Sequence, residues 1–188
     1  FGDILPKMQW VNFGGGHHIT RPGYDLETLE HCIARAQNAW GVTVYLEPGE
    51  ACALNAGYLL TRVLDVVQNG GTTVAILDAS AACHMPDVIE MPYRPPLLFA
   101  GDAGQKPCTV RLAGPTCLAG DVIGDYGFDA VPRAGDLLVF GDMAIYTTCK
   151  NNTFNGMPLP AICVRDEAGD VRELVKFGYR DFKARLGR

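Results

Sequence analysis

Two short apolar runs near the start of the chain are each followed at once by residues suited to a binding site. Residues 8–13 end at three glycines, and residues 42–46 end at a Glu-Pro-Gly turn. Between them, residues 26–40 carry apolar side chains at helical spacing, with Asp25 as the expected N-cap and Gly41 as the expected stop. A strand, a helix and a second strand in this order predict buried parallel strands, as in a β/α barrel or a doubly wound sheet.

Beyond about residue 55 the pattern changes to short strands separated by turn signals, which predicts an all-β region. Hairpin turns are expected at residues 69–71 and 167–170, and strands at residues 58–67, 72–77, 109–112, 136–140, 160–164 and 171–177.

The fold class predicted for the whole chain is therefore α/β plus all-β. Residues 1–55 are expected to be the last units of a (β/α)8 barrel, and residues 56–188 a C-terminal β-barrel or β-sandwich domain. Because two β/α units cannot close a barrel, we expect an N-terminal barrel portion that this chain lacks.

Composition excludes several classes of protein. The formal net charge is −5 and no Lys/Arg-rich run occurs, so neither nucleic acid nor a membrane surface is an expected partner. No apolar run approaches the ~20 residues of a membrane-spanning helix. Seven cysteines without a CxxC pair argue against a disulfide framework and favour a cytoplasmic protein, and the four histidines lack the spacing of metal ligands, so no metal is expected.

The three glycines and the Glu-Pro-Gly turn are candidates for binding an anionic, aromatic ligand. Gly14, Gly15 and Gly16 can bring backbone N–H groups close to a phosphate, because no Cβ blocks the positive-φ conformations that such a loop uses. A tight strand-to-helix turn is the alternative. Glu47, if placed against a pyridine nitrogen, would favour the protonated ring. Otherwise it is an exposed turn residue.

Five further side chains are candidates for chemistry. Cys117 lies in a Gly/Pro/Thr-rich turn rather than an apolar stripe, which favours a role such as proton donation. Tyr146 can donate its hydroxyl to a phosphate oxygen or simply pack, and His18 is expected near such a phosphate or ring. Asp78 and Asp121 either bind turn amides or hold the ammonium groups of a polyamine-like substrate.

Ordered motifs along almost the whole chain resemble one branch of the alanine-racemase-fold decarboxylases that use pyridoxal 5'-phosphate. That branch is the carboxynorspermidine/carboxyspermidine decarboxylases, which are related to ornithine and diaminopimelate decarboxylases. The motifs are GGGHHIT at 14–20, EPGEA at 47–51, ILD at 76–78, HMPD at 84–87, TCLAGDVIGDY at 116–126 and TFNG at 153–156. The resemblance implies decarboxylation of carboxynorspermidine or carboxyspermidine to norspermidine or spermidine in polyamine biosynthesis.

The resemblance also implies residue roles and a partner. Gly15 and Gly16 would cradle the cofactor phosphate with help from Tyr146, Glu47 would pair with the pyridine nitrogen, and Cys117 would be the proton donor. In such enzymes the active site forms at a head-to-tail homodimer interface, with the cysteine supplied by the partner subunit.

Three departures from the wider family bear on these roles. Glu50 stands where an arginine often contacts the phosphate, and Leu118 stands where ornithine decarboxylases have an aspartate, which argues against ornithine as the substrate. Asp78 aligns with an acidic residue that contacts the substrate in ornithine decarboxylases. None of the lysines lies in the context of the family's Schiff-base lysine, so this residue is expected outside the chain, and the chain alone is expected to be inactive.

Other functions fit the same residues. A diaminopimelate or other basic amino-acid decarboxylase is the nearest alternative among enzymes. A catalytically inactive homologue that binds a polyamine or a protein partner is an alternative of another class, and an independent β-barrel binding module is a third.

Overall fold

The computed structural model describes residues 1–187, and the chain divides into two compact units, Phe1–Gly57 and Tyr58–Arg188. The first unit begins with a single 3-10 turn. Its regular elements are β1 (Trp10–Asn12), α1 (Leu26–Trp40), β2 (Thr43–Tyr45) and α2 (Gly49–Ala53).

Helix α1 has the bounds and caps that the sequence predicts. The Asp25 carboxylate accepts a hydrogen bond from the Thr28 backbone N–H at 3.0 Å, which satisfies one of the unpaired donors of the first turn. The helix ends at Gly41, whose φ of 66° is a left-handed conformation that glycine adopts without a Cβ penalty. The predicted start and stop are both confirmed.

Strands β1 and β2 pair in parallel, as predicted, but they are not buried. Trp10 is 58% exposed and Tyr45 is 54% exposed, and their rings meet edge to face with centroids 6.0 Å apart. The expectation of buried strands is wrong in this chain because β1 and β2 form a two-stranded sheet, with no further strand beside either among the residues that the structure describes. The barrel itself stays a prediction.

The second unit is built on a six-stranded mixed sheet, in which the strands defined below lie in the order β5-β7-β6-β4-β3-β8. Its regular elements are β3 (Leu59–Asn69), β4 (Thr72–Leu77), α3 (Ala81–His84), α4 (Asp87–Glu90), β5 (Gly101–Asp102), β6 (Cys108–Ala113), β7 (Val122–Phe128), β8 (Leu137–Phe140), α5 (Tyr146–Cys149), β9 (Ile162–Arg165), β10 (Val171–Val175) and α6 (Tyr179–Arg185).

Pairing within this sheet is antiparallel except between β4 and β6. Strand β3 pairs with β8 through its first half and with β4 through its second half. The predicted turn after Asn69 joins β3 to β4, with φ values of 54° at Gly70 and 83° at Gly71, as a two-residue hairpin requires. Strands β9 and β10 form a separate antiparallel pair.

The description of this unit as all-β is not confirmed, because four short helices interrupt it. Sequence reasoning also missed β7, which contains Gly124 and Gly127, residues that weaken a strand pattern. Gly127 has a specific reason to be glycine, since a Cβ there would lie 2.5 Å from the backbone oxygen of Asp102 on β5. Strand β7 is therefore held by backbone pairing on both sides.

The hydrophobic core lies against this sheet. Its largest members are Tyr126 and Phe140, which pack edge to face with ring centroids 6.1 Å apart, and the Tyr126 hydroxyl donates to the Pro95 carbonyl at 2.8 Å. Burial raises the pKa of Tyr126, so this hydroxyl stays protonated as a donor. Among residues 1–187, no helix is long and apolar enough to cross a membrane.

Candidate functional site

In the first unit, the side chain of Asn12 connects the glycine loop to Glu47. Asn12 is the last residue of β1, and its amide nitrogen donates to Glu47 Oε1 at 2.7 Å while its amide oxygen accepts from the Gly14 backbone N–H at 2.7 Å. The Glu47 N–H donates in turn to the Gly14 carbonyl at 2.9 Å. The structure thus brings two of the predicted cofactor-binding elements together.

The glycine loop has a conformation that only glycine fits. Gly14 and Gly16 have φ values of 78° and 79°, in the region that L side chains rarely adopt. A Cβ on Gly15 would lie 2.9 Å from the Glu47 carbonyl oxygen. Gly15 therefore allows a close approach of two backbone segments, which a tight turn alone would not require, while Gly14 and Gly16 provide the positive φ values of the loop.

His18 contacts Glu50 in the same unit. Its Nδ1 lies 3.1 Å from Glu50 Oε1, and Arg21 donates to the same oxygen at 2.6 Å. The predicted position of His18 near a cofactor stays a prediction. The neighbouring His17 has a buried Nε2 with no hydrogen-bond partner among residues 1–187.

In the second unit, Cys117 lies near the tip of the loop that joins β6 to β7, residues 114–121. The Gly114 N–H donates to the Asp121 carbonyl at 2.8 Å and closes the base of this loop. Cys117 is exposed, and its backbone N–H donates to Asn155 Oδ1 at 3.3 Å. Asn155 itself has a φ of 59°, so a strained residue holds the tip.

Asp121 is 3% exposed, and its carboxylate accepts hydrogen bonds from two parts of the chain. Ser80 Oγ lies 2.9 Å from both carboxylate oxygens, and the Ala82 N–H lies 3.2 Å from Oδ1. Thr116 donates to Oδ2 from its hydroxyl at 2.7 Å and from its N–H at 3.3 Å. This burial does not fit the expected contact between Asp121 and a substrate amine, because internal donors already surround the carboxylate.

Asp78, the other acidic candidate, is exposed. Its Oδ1 accepts from the Thr61 hydroxyl at 2.6 Å and from the Arg62 N–H at 2.8 Å. Oδ2 has no hydrogen-bond partner in the part of the chain that the structure describes. One oxygen of Asp78 is therefore fixed by the protein, and the other can accept from a ligand.

Tyr146 begins helix α5 and is 59% exposed. Lys150, directly after the helix, pairs with Asp87 and with Glu90, the latter at 2.6 Å, and its Nζ lies 5.9 Å from the centre of the Tyr146 ring. The hydrogen bond to Asp87 is the main reason that the pKa of Lys150 is raised. Tyr146 is thus an exposed residue of a short helix, and the two ion pairs of Lys150 hold the end of that helix in place.

Sequence reasoning missed the residues that hold the candidates in place. Asn12 carried one signal, its position between a strand and the glycines, and Asn155 lies in the TFNG motif. Ser80 carried none. Within residues 1–187, no group of three His, Cys, Asp or Glu side chains is placed to hold a metal ion.

A cavity of about 480 Å³ lies elsewhere in the second unit. It is lined mainly by the segment from Asn151 to Leu159 and by helix α6 with the residues before it. None of the predicted site residues lines this cavity, so it does not belong to the candidate site.

Comparison with known proteins places this geometry in a family. Residues 17–144 match the family described as pyridoxal-dependent decarboxylase, C-terminal sheet domain. The match covers more than half of the chain. The chain therefore belongs to the pyridoxal-dependent decarboxylases, and the mixed sheet of its second unit is their C-terminal sheet domain.

Individual relatives show which pyridoxal-dependent decarboxylases this chain is similar to. The carboxynorspermidine/carboxyspermidine decarboxylase of Campylobacter jejuni is 42% identical over 98% of this chain and 51% of its own length. The carboxyaminopropylagmatine decarboxylase of Synechocystis is 42% identical over 100% of this chain and 49% of its own length. The crystal structure of the Campylobacter jejuni carboxynorspermidine decarboxylase complexed with norspermidine superposes with a TM-score of 0.86 at 42% identity, covering 98% of this chain and 53% of that one. The chain spans about half the length of the curated relatives it matches.

Stability should depend on pH through His84, which is buried beside the Cys117 loop. Ser80 N–H donates to Nδ1 at 3.1 Å and Nε2 donates to the Pro158 carbonyl at 3.0 Å, so the neutral ring is fully bonded. Burial lowers the pKa of His84 below the ordinary value of 6.5. Below pH 6.5 the unfolded chain therefore binds a proton that the folded chain excludes, and the free energy of unfolding should fall with pH.

We expect the melting temperature of the purified protein to be level between about pH 7 and 8, where neither His nor Cys side chains titrate in the unfolded chain, and to fall as the pH drops from 6.5 towards 5. The His84→Gln variant has no imidazole to protonate and should show a flatter curve over the same window, whatever its absolute melting temperature. Parallel curves for the two proteins would contradict this role of His84.

Proposed function

We propose that this chain supplies the C-terminal part of a decarboxylase that converts carboxynorspermidine or carboxyspermidine to norspermidine or spermidine. The observation that carries the proposal is the 42% identity over 98% of the chain with the Campylobacter jejuni enzyme of that name. The ordered motifs support it, because the same motifs contain Gly15, Gly16, Glu47, Asp78 and Cys117. The first unit would then be the last part of a (β/α)8 barrel.

The residues present fit pyridoxal 5'-phosphate, the cofactor of the family. The backbone N–H groups of Gly15 and Gly16 would hold its phosphate, and the exposed hydroxyl of Tyr146 would donate to a phosphate oxygen. The Glu47 carboxylate, oriented by Asn12, would pair with the protonated ring nitrogen. When bound, the cofactor provides a sink for the electron pair that remains at Cα after CO₂ leaves.

Cys117 would return a proton to Cα of the product. Its loop is closed at the base, and the residue is exposed near the tip, so the thiol can reach a molecule outside its own unit. General acid catalysis requires the donor to be within hydrogen-bond reach of the atom that it protonates. The family resemblance supports a head-to-tail homodimer in which Cys117 serves the partner's active site, and the unpaired cysteine pattern supports a cytoplasmic location.

Asp78 would select the distal end of the substrate. Its Oδ1 already accepts two hydrogen bonds, which leaves Oδ2 for a ligand. One free oxygen suits an ammonium group, which binds as a point charge, better than a guanidinium group, which prefers two parallel hydrogen bonds to a carboxylate. This geometry favours carboxynorspermidine or carboxyspermidine over a substrate that carries a guanidinium at its far end.

The second candidate substrate is carboxyaminopropylagmatine, because the Synechocystis enzyme named for it is also 42% identical to this chain.

The full-length enzyme should be assayed for CO₂ release from carboxynorspermidine, carboxyspermidine, carboxyaminopropylagmatine and diaminopimelate at equal concentration. We expect kcat/KM to be at least tenfold higher for the first two. A preference for either of the others would replace the proposed substrate, and no release from any of them would favour an inactive homologue.

Cys117→Ala should lower the rate of amine formation in the full-length enzyme by about 100-fold or more, the usual contribution of a positioned general acid. Loss of CO₂ precedes proton return, so a carbanion that is not protonated at Cα can take its proton on the cofactor instead. Water then releases the carbon chain as an aldehyde and leaves the amino group on the cofactor, so CO₂ released should exceed amine formed, whereas the wild-type ratio is one. Cys149→Ala, a change at another exposed thiol, is the control. A wild-type rate and ratio in Cys117→Ala would remove Cys117 from the reaction.

Gly15→Ala should weaken cofactor binding, because the added Cβ would lie 2.9 Å from the Glu47 carbonyl and push the glycine loop away from Glu47. We expect the dissociation constant for pyridoxal 5'-phosphate, measured by titration of the apoenzyme, to rise at least tenfold. Gly49→Ala adds a methyl group where nothing lies within 4 Å and should bind as the wild type does. Equal affinity in the two variants would show that the close approach does not serve the cofactor.

A further inference from the structure

The buried carboxylate of Asp121 lies between the Cys117 loop and the segment that follows β4. Ser80 is fully buried, and its hydroxyl donates to Asp121 at 2.9 Å while accepting from the Cys83 N–H at 3.2 Å. Thr116 donates to the other side of the carboxylate and accepts from the Leu118 N–H at 3.4 Å. Hydrogen bonds thus run from the start of α3, through Asp121, to both neighbours of Cys117 in the chain.

A charged group this deeply buried is stable only when its oxygens are satisfied by donors, and removing donors leaves a costly unpaired charge. The carboxylate therefore fixes the groups that bond to it. Thr116 takes part through both its N–H and its hydroxyl, so its backbone and its side chain are both held. Cys117, the next residue, inherits its position from this arrangement.

We propose that Asp121 is a positioning residue for Cys117, and that its carboxylate holds the loop of residues 114–121 in the one arrangement that aims the thiol at Cα. This inference rests on the proposed role of Cys117 as proton donor. In this inference Asp121 aligns the proton donor and does not contact the substrate. Ser80 and Thr116 contribute to the same alignment through their hydrogen bonds to Asp121.

A substitution at Gly114 can test whether the position of the Asp121 carboxylate matters. An added Cβ there would overlap the carboxylate of Asp121, which the hydrogen bonds prevent from moving aside. Gly120, in the same loop, has open space around the corresponding position and no positive φ. Gly114→Ala and Gly120→Ala therefore add the same methyl group to one loop, and only the first disturbs Asp121.

The test uses the full-length enzyme and two measurements. The first is the ratio of CO₂ released to amine formed, with kcat and KM for both. A general loss of structure lowers both products together and keeps the ratio at one, whereas a misplaced proton donor raises the ratio. The second is hydrogen exchange of the peptide that covers residues 114–121, which reports the order of the loop without any turnover.

We expect Asp121→Asn and Gly114→Ala to raise the ratio at least twofold, to lower kcat for amine formation about tenfold with KM within twofold, and to speed exchange of the loop about tenfold. Gly120→Ala should match the wild type in the product ratio, in kcat and KM, and in the rate of loop exchange. If either disruptive variant fails to fold, Thr116→Val and Thr116→Ser decide, because valine loses the hydroxyl bond to Asp121 and serine keeps it. The valine variant should behave like Asp121→Asn, and the serine variant like the wild type.

The outcomes separate this proposal from the one on which it rests. A ratio of one and wild-type loop exchange in Asp121→Asn, or in Thr116→Val, would overturn the positioning role even if Cys117→Ala behaves as expected. If Cys117→Ala instead keeps the wild-type rate and ratio, the assignment of Cys117 as proton donor fails. If the Asp121 variants show faster loop exchange but a ratio of one, Asp121 only orders the loop and does not position a proton donor.

Discussion

The parallel pairing of β4 with β6 is the constraint on which the candidate site of the second unit depends. The carboxyl ends of parallel neighbours lie at the same edge of a sheet, and here Ile76 is opposite Ala113 at that edge. The residues that leave β4, Asp78 and Ser80 among them, therefore emerge beside the loop that leaves β6 and carries Cys117. In an antiparallel pair the two segments would leave at opposite ends, and the hydrogen bonds between Ser80 and Asp121 could not form. A single parallel contact in an otherwise antiparallel sheet thus assembles the site.

Local signals in the sequence were sufficient for the elements that local interactions determine. Helix α1 was predicted with its bounds because apolar spacing, an Asp cap and a Gly stop agree, and the β3–β4 hairpin because Asn-Gly-Gly suits a two-residue turn. The parallel pairing of β4 with β6 was not predictable, since residues 78–107 separate the two strands and no local signal determines which distant strands pair or in which direction. Strand β7 was missed because its two glycines resemble a loop, and their use in close backbone approach becomes visible only in three dimensions.

The candidate site shows the same division. Cys117, Glu47 and the glycines were identified from motifs, because their chemistry is carried by residue type and order. For Asp121 the sequence left two alternatives open, bonds to turn amides and contact with a substrate amine, since an aspartate near glycines looks the same in sequence whether its carboxylate faces solvent or is buried at 3% exposure. Ser80 left no signal, because nothing about a serine between two alanines indicates a hydrogen bond to a carboxylate. The sheet brings Ser80 next to Asp121, which lies 41 residues further along the chain.

In the first unit, the close approach of Gly15 to the Glu47 carbonyl and the hydrogen bonds of Asn12 couple the glycine loop to Glu47. Asn12 bonds to both, so a displacement of either changes the geometry of the other. An enzyme that must hold a phosphate and a ring nitrogen at a fixed separation gains from such coupling, because preorganised groups need no rearrangement when the ligand binds. The parallel pairing of β1 with β2 and the hydrogen bonds of Asn12 together set the distance between the glycine loop and the Glu47 carboxylate, which is the distance that the proposed cofactor site requires.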